Sequence, residues 1–139
     1  MALDERQLAV VLQASVDRAN ELLRADGGFI PFGTRAKPSG EIEFVQIAPE
    51  SETETLDALL SRLADVLAQE ARQNAIVGSA LVADVAEPGR EENRSIAVLV
   101  ETTRFSRSIQ VPYRMGDDGV VLGEMVPDEA TARVFAVSG

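Results

Sequence analysis

Apolar residues at Leu8, Val11, Leu12, Val16, Ala19, Leu22 and Leu23 recur at helical spacing and predict an α-helix from Asp4 to Ala25. Asp4 suits the N-cap with Gln7 as its reciprocal partner, and Asp26-Gly27-Gly28 supplies the stop. Arg6, Gln13, Asp17, Arg18 and Glu21 mark the solvated face. Phe29 to Gly33 then reads as a short strand, placed at a sheet edge because Pro31 has no N–H to donate. A polar loop, Thr34 to Gly40, leads into Glu41 to Ile47, where Ile42 and Phe44 alternate with Glu41 and Glu43 as in a strand with one buried face. These two strands read as a hairpin. Ser51-Glu52-Thr53-Glu54 forms a capping box after Pro49, and Leu56, Leu59, Leu60, Leu63, Val66 and Leu67 continue it as a second helix to about Gln73.

The remainder is β-rich. Strands are predicted over Ala75 to Ala86, Ser95 to Thr103, Arg107 to Arg114 and Val120 to Met125, with turns at Glu87-Pro88-Gly89 and Gly116-Asp117-Asp118-Gly119. From Asp128 the pattern fits either a short helix or an extended segment. Ile109, Val111 and Tyr113 alternate with Ser108, Gln110 and Pro112, so one face of that strand should meet water, whereas Ile76 to Ala83 and Ile96 to Val100 are apolar on both faces. The order α-β-β-α-β-β-β(-β) predicts one α+β domain over residues 1–139. It is a two-layer sandwich with both helices on one face of a mainly antiparallel, five- to six-stranded sheet. Helices confined to one face leave part of the other open, and a second copy of the chain is the cheapest cover, so a homodimer is expected. The competing reading is an open face of small, mildly apolar residues.

Composition narrows the chemistry. The 139 residues are 45% hydrophobic and 26% charged, within the range of a folded domain. Cys, His and Trp are absent, which removes disulfides, thiolate and imidazole metal sites, and Ser-His-Asp or Cys-His nucleophile arrangements. No metal and no cofactor is expected. With 23 Asp and Glu against 13 Lys and Arg, the net charge of −10 opposes general nucleic-acid binding. No apolar run is long enough for a membrane span, and the start lacks the pattern of a secretory signal. Twelve Arg against one Lys, with abundant Ala and Val, fits the coding bias of a high-GC bacterium, so a bacterial cytoplasmic protein is expected.

Few residues suggest chemistry. Gly27, Gly28 and Gly33 are no dinucleotide fingerprint, since no strand precedes them and no helix follows. Asp117 and Asp118 fit a hairpin turn better than a cation loop. Asp84 and Glu101 each interrupt an apolar strand. Brought together they would make a carboxylate pair for acid-base work; apart, each would be solvated at a strand end or paired with an arginine. Arg104, Arg107 and Arg114, with Arg35 and Lys37, are the basic concentration of an acidic chain, and beside Tyr113 they would suit a carboxylate or phosphate, or simply neutralise nearby acids. Phe105, in a turn, is either a contact residue on an interaction surface shared with Arg104 or folded back into the core.

Phe29-Ile30-Pro31-Phe32-Gly33, the small-residue strand ending at Asp84-Val85, Ile96-Ala97-Val98 and Val111-Pro112-Tyr113-Arg114 resemble an uncharacterised family of small bacterial hypothetical proteins with F-x-P-F-G and P-Y-R motifs. The resemblance runs from about Gly28 to Arg114, and Glu101-Thr102 with Arg104-Phe105-Ser106 departs from the family pattern. It implies a fold and brings no activity. The element order also resembles the roadblock and profilin-like class of dimerising modules, as a fold-level analogy. The function expected is a non-catalytic binding or interaction module, not an enzyme, whose acidic surface suits a basic protein partner in the manner of an immunity protein. The alternatives are an anion sensor with a pocket between helix and sheet near Arg35, Arg107, Tyr113 and Arg114, and an enzyme built on Asp84 and Glu101.

Overall fold

The first helix, α1 (Ala2–Asp26), begins two residues ahead of Asp4, so the cap expected there falls inside the helix. It ends as the glycines require: Gly27 takes a left-handed φ of 76° and its N–H bonds the Leu23 carbonyl at 2.8 Å. The coordinates are a computed structural model that describes residues 2–51, 53–87, 89–102, 106–117, 119–129 and 134–135.

Strand β1 (Phe32–Ala36) starts three residues later than the pattern suggested, and β2 (Ile42–Val45) returns beside it. Pro31 lies just before β1, where its missing N–H interrupts no ladder. The strand is therefore internal rather than an edge, held between β2 and β3 (Gly78–Glu87). Helix α2 (Leu56–Arg72) is capped four residues beyond the expected Ser51, with the Thr55 hydroxyl accepting the Ala58 N–H at 3.1 Å. Glu54, the would-be partner of Ser51, is engaged elsewhere. Its carboxylate accepts the Glu50 N–H at 2.8 Å and binds the Arg62 guanidinium at 2.6 Å, which holds its pKa below the usual carboxylate range.

Three further long or paired segments follow: β4 (Arg90–Thr102), β5 (Ser106–Gly116) and the broken return strand β6 (Gly119–Leu122) and β7 (Val126–Glu129). The antiparallel sheet runs β2-β1-β3-β4-β5-β6, and β7 pairs with β5 below β6. Between Leu122 and Val126 the return strand carries one residue more than β5 opposite, a bulge. It falls at Pro112, whose carbonyl accepts the Gly123 N–H at 2.7 Å and which has no N–H to return. The chain beyond the bulge is thus extended up to Glu129; of the tail from Asp128, for which a short helix or an extended segment is expected, residues 130–133 and 136–139 lie outside the described residues.

The α+β class, the element order and the open antiparallel sheet agree with the sequence reading, but the helices do not share a face. Phe32, Ala80, Val82, Ile96, Val98, Ile109 and Val111 lie in one core with Val11, Val16, Ala19 and Leu23 of α1. Leu81 and, less deeply, Leu99 and Val45 pack instead with Leu63, Ala64 and Leu67 of α2. The register places these two sets on opposite sides of the sheet. The cause is visible in β3 and β4, which are apolar on both faces and so need cover on both. Gly33 helps α2 approach: a Cβ there would lie 3.0 Å from Leu67 Cδ1. The result is three layers, with α1 crossing most of one face and α2 covering only the β1–β3 part of the other.

Candidate functional site

Asp84 and Glu101 do not meet. Asp84 sits opposite Ile96, five residues from Glu101 along β4, a separation of roughly 17 Å at the rise of an extended strand. They also lie on opposite faces, Asp84 toward α1 and Glu101 toward α2. Each has its own partners. The Tyr113 hydroxyl donates to Asp84 Oδ1 at 2.6 Å, Arg94 Nη2 stands 3.0 Å from the same oxygen, and Arg94 Nε donates to the Tyr113 hydroxyl oxygen at 2.8 Å. This cluster spans three neighbouring strands. The Asp84 carboxylate is 5% exposed, while Arg94 keeps 41% of its side chain in water. Burial, and then the bond to the Asp84 carboxylate, push the Tyr113 phenol above its ordinary pKa, and Asp84 raises that of Arg94. A protonated phenol, a carboxylate and a cation so matched make a cross-strand tie rather than an activated nucleophile.

Glu101 is fully buried. Its carboxylate accepts the Val134 N–H at 3.0 and 3.2 Å and the Phe135 N–H at 3.4 Å. Val134 is itself buried among Leu63, Leu67, Ile76 and Leu81, so Glu101 fastens the chain near its end over the α2 core. The two apolar faces of β3 and β4 are thereby met within one chain by α1 on one side and by α2 with Val134 on the other. That cover accounts for the two apolar strands without a second copy.

The basic residues are also dispersed. Arg35, on β1, lies 3.4 Å from Glu43 and 3.2 Å from Glu70, although its Nε–H is not aimed at the Glu70 oxygen. Lys37 pairs with Glu43 at 3.1 Å and Glu41 at 3.3 Å. Arg107 is exposed near the opposite end of β5 from Arg114. Tyr113 and Arg114, being consecutive in a strand, point to opposite faces. The four residues expected around one anion are thus not brought together. Arg104 and Phe105, the expected contact surface, lie outside the described residues.

Two features of the surface remain. Arg114 lines an open cleft of about 670 Å³ on the sheet face that α2 leaves bare, beside Val85, Ser95, Pro112 and Val121. Arg114 makes no ion pair among the described residues. At the β6–β7 end of the sheet, distributed over both its faces, Met115, Val121, Leu122, Met125 and Val126 are five of the ten exposed large hydrophobic side chains among the described residues. The strand expected over Val120 to Met125 is β6, Gly119–Leu122, and residues 123–125 form the bulge instead. Sequence reasoning missed that β6 stands last on the sheet path and leaves Val121 and Leu122 in water, a placement that no residue pattern signals.

Among the described residues no group of three or more carboxylates is placed to hold a metal ion, and no helix is long and apolar enough to cross a membrane. Comparison with family models, with curated proteins and with solved structures returns no match.

Proposed function

We propose that the chain is a non-catalytic protein-interaction module that docks a basic partner at the β6–β7 end of its sheet. The observation that carries this reading is the gathering of half the exposed large hydrophobic side chains between Met115 and Val126. Charge supports the choice of partner. Residues 117–129 include Asp117, Asp118, Glu124, Asp128 and Glu129 and no Lys or Arg, within a chain of net charge −10. Such a module suits a bacterial cytoplasmic inhibitor that neutralises a basic protein, as immunity proteins do. The dispersal of Asp84 and Glu101 removes the carboxylate pair on which the enzymatic alternative depended.

The test is affinity purification at near-physiological salt from cells that make the protein, followed by native mass spectrometry. Wild-type chain should carry a stoichiometric basic protein, and the Val121→Asp/Leu122→Asp variant should lose it. Elution of the wild type alone, or as a dimer of itself, would overturn the reading. Arg114 in its cleft favours one second reading, a small-anion site. In that case phosphate or a di- or tricarboxylate should raise the melting temperature of the wild type and not that of Arg114→Ala.

A further inference from the structure

We infer that β6 is a strand-addition site: it takes an extended partner segment, apolar at its centre and basic at its ends, as one more strand of the sheet. The inference rests on the interaction-module reading and names how the partner binds. The bond from the Gly123 N–H to the Pro112 carbonyl fixes which way the β6 backbone faces. In an antiparallel pair, residues two apart face the same neighbour, so Val121 and Gly119 turn their N–H and C=O groups toward Arg114 and Gly116. Val120 and Leu122 therefore turn theirs outward, and no strand pairs with that side of β6 among the described residues. Carried on to β7, the same alternation places Pro127 outward, where it has no N–H to offer. Among the described residues the outward N–H groups of this edge are therefore those of Val120 and Leu122 on β6 and of Glu129 at the far end of β7, and only β6 presents two in succession.

Side chains complete the site. Leu122 and Met115, 37% and 53% exposed, flank the edge on the α1 side, and Val121, 43% exposed, flanks it on the cleft side. Exposed Asp117 and Glu124 stand at the two ends of β6. Arg114, level with Val121, disfavours a cation at the centre of the added strand. The complementary segment is consequently basic, apolar, basic. The opposite edge, β2, lacks this complementarity because its Glu43 is engaged by Arg35 and Lys37.

The probe is the acetylated and amidated peptide Lys-Lys-Val-Thr-Val-Lys-Lys, titrated into the full chain and followed by backbone amide resonances and hydrogen exchange. Its acidic-ended counterpart, Glu-Glu-Val-Thr-Val-Glu-Glu, is the control. Saturable binding should shift residues 117–124 and slow exchange of the Val120 and Leu122 amides. It should weaken about tenfold as salt rises from low to physiological strength, and the control should not bind. Leu122→Pro deletes an outward N–H that the β5 ladder does not use, and should weaken binding about tenfold or more in a folded chain. Asp117→Lys/Glu124→Lys should exchange the preference between the two peptides, which keeps the test decisive if the proline variant does not fold.

Equal binding to folded Leu122→Pro, shifts centred away from β6, or no binding of the basic peptide would overturn the inference. A native partner that Leu122→Pro still retains would sink strand addition while leaving the interaction module standing. A wild-type chain that carries no partner removes that broader reading. A self-dimer abolished by Leu122→Pro would reassign the edge to a second copy.

Discussion

Asp84 and Glu101 look alike in sequence, each a carboxylate set in an apolar strand, yet the fold settles them by different means. Asp84 is held by side chains from the two next strands of its own sheet, and the guanidinium that balances its charge is partly in water. Glu101 is held at least in part by backbone N–H groups from a segment 33 and 34 residues away, with no exposed surface of its own. A buried charge is costly unless its lone pairs are filled, but what is lost when the charge is removed depends on who filled them. Around Asp84, Arg94 can turn to solvent. Around Glu101, two peptide groups and the Val134 plug lose their anchor together.

The comparison breaks most sharply at Glu101. Glu101→Ala should destabilise the chain by about 3 kcal/mol in urea denaturation, because buried N–H donors are left unpaired and the cover over Leu63 and Leu67 loosens. Glu101→Gln keeps one carbonyl acceptor and should cost about 1–2 kcal/mol. Amide exchange at Val134 and Phe135 should accelerate in both variants while that of α1 stays slow. Unchanged protection at Val134 would show that the carboxylate does not hold the segment.

At the other cluster the expected effects are smaller. Asp84→Asn retains an acceptor for the Tyr113 hydroxyl and loses the charge opposite Arg94, for about 1–1.5 kcal/mol. Tyr113→Phe removes one hydroxyl and leaves Asp84 with Arg94, for about 1 kcal/mol. Because the three groups form one network, the Asp84→Asn/Tyr113→Phe pair should cost less than the sum of its members. Full additivity would mean that the phenol and the carboxylate act independently.

What the sequence could disclose divides along the same line. Periodicity located both helices and most strands, since a buried face leaves its mark every two or every three to four residues. Ser51 and Thr55 are both plausible caps for α2, and the helix uses the later one. Only Thr55 directly precedes Leu56, the first residue of the apolar stripe. Periodicity says that a helix has a buried face and not which side of a sheet it will meet. Even so, β3 and β4 were apolar on both sides, and that alone required two coverings. The Asp84 cluster was half legible, since pairing with an arginine was one of its expected fates. The Glu101 contact was not, because it joins residues far apart in sequence through backbone groups, which carry no residue-type signature. The outward set of the β6 backbone was equally hidden, for it depends on the register fixed at Pro112 and Gly123.

The smallest expected effect is also the most direct view of the Asp84 cluster. Tyr113 is the one tyrosine of a chain that has no tryptophan, so ultraviolet titration of tyrosinate reports this site alone. Burial and the neighbouring Asp84 carboxylate both favour the neutral phenol, with Arg94 opposing them, and the pKa is raised from 10.0. The folded-state value exceeds the unfolded one. The stability that Tyr113 contributes is therefore fully present below about pH 10 and is lost as pH rises through the raised folded value. The folded chain should titrate above the same chain in urea. Asp84→Asn should lower the folded midpoint part of the way, because burial, the larger cause, remains. A midpoint at or below that of the unfolded chain would mean that Arg94 dominates the phenol, and that the cluster is organised around the cation rather than around the buried carboxylate.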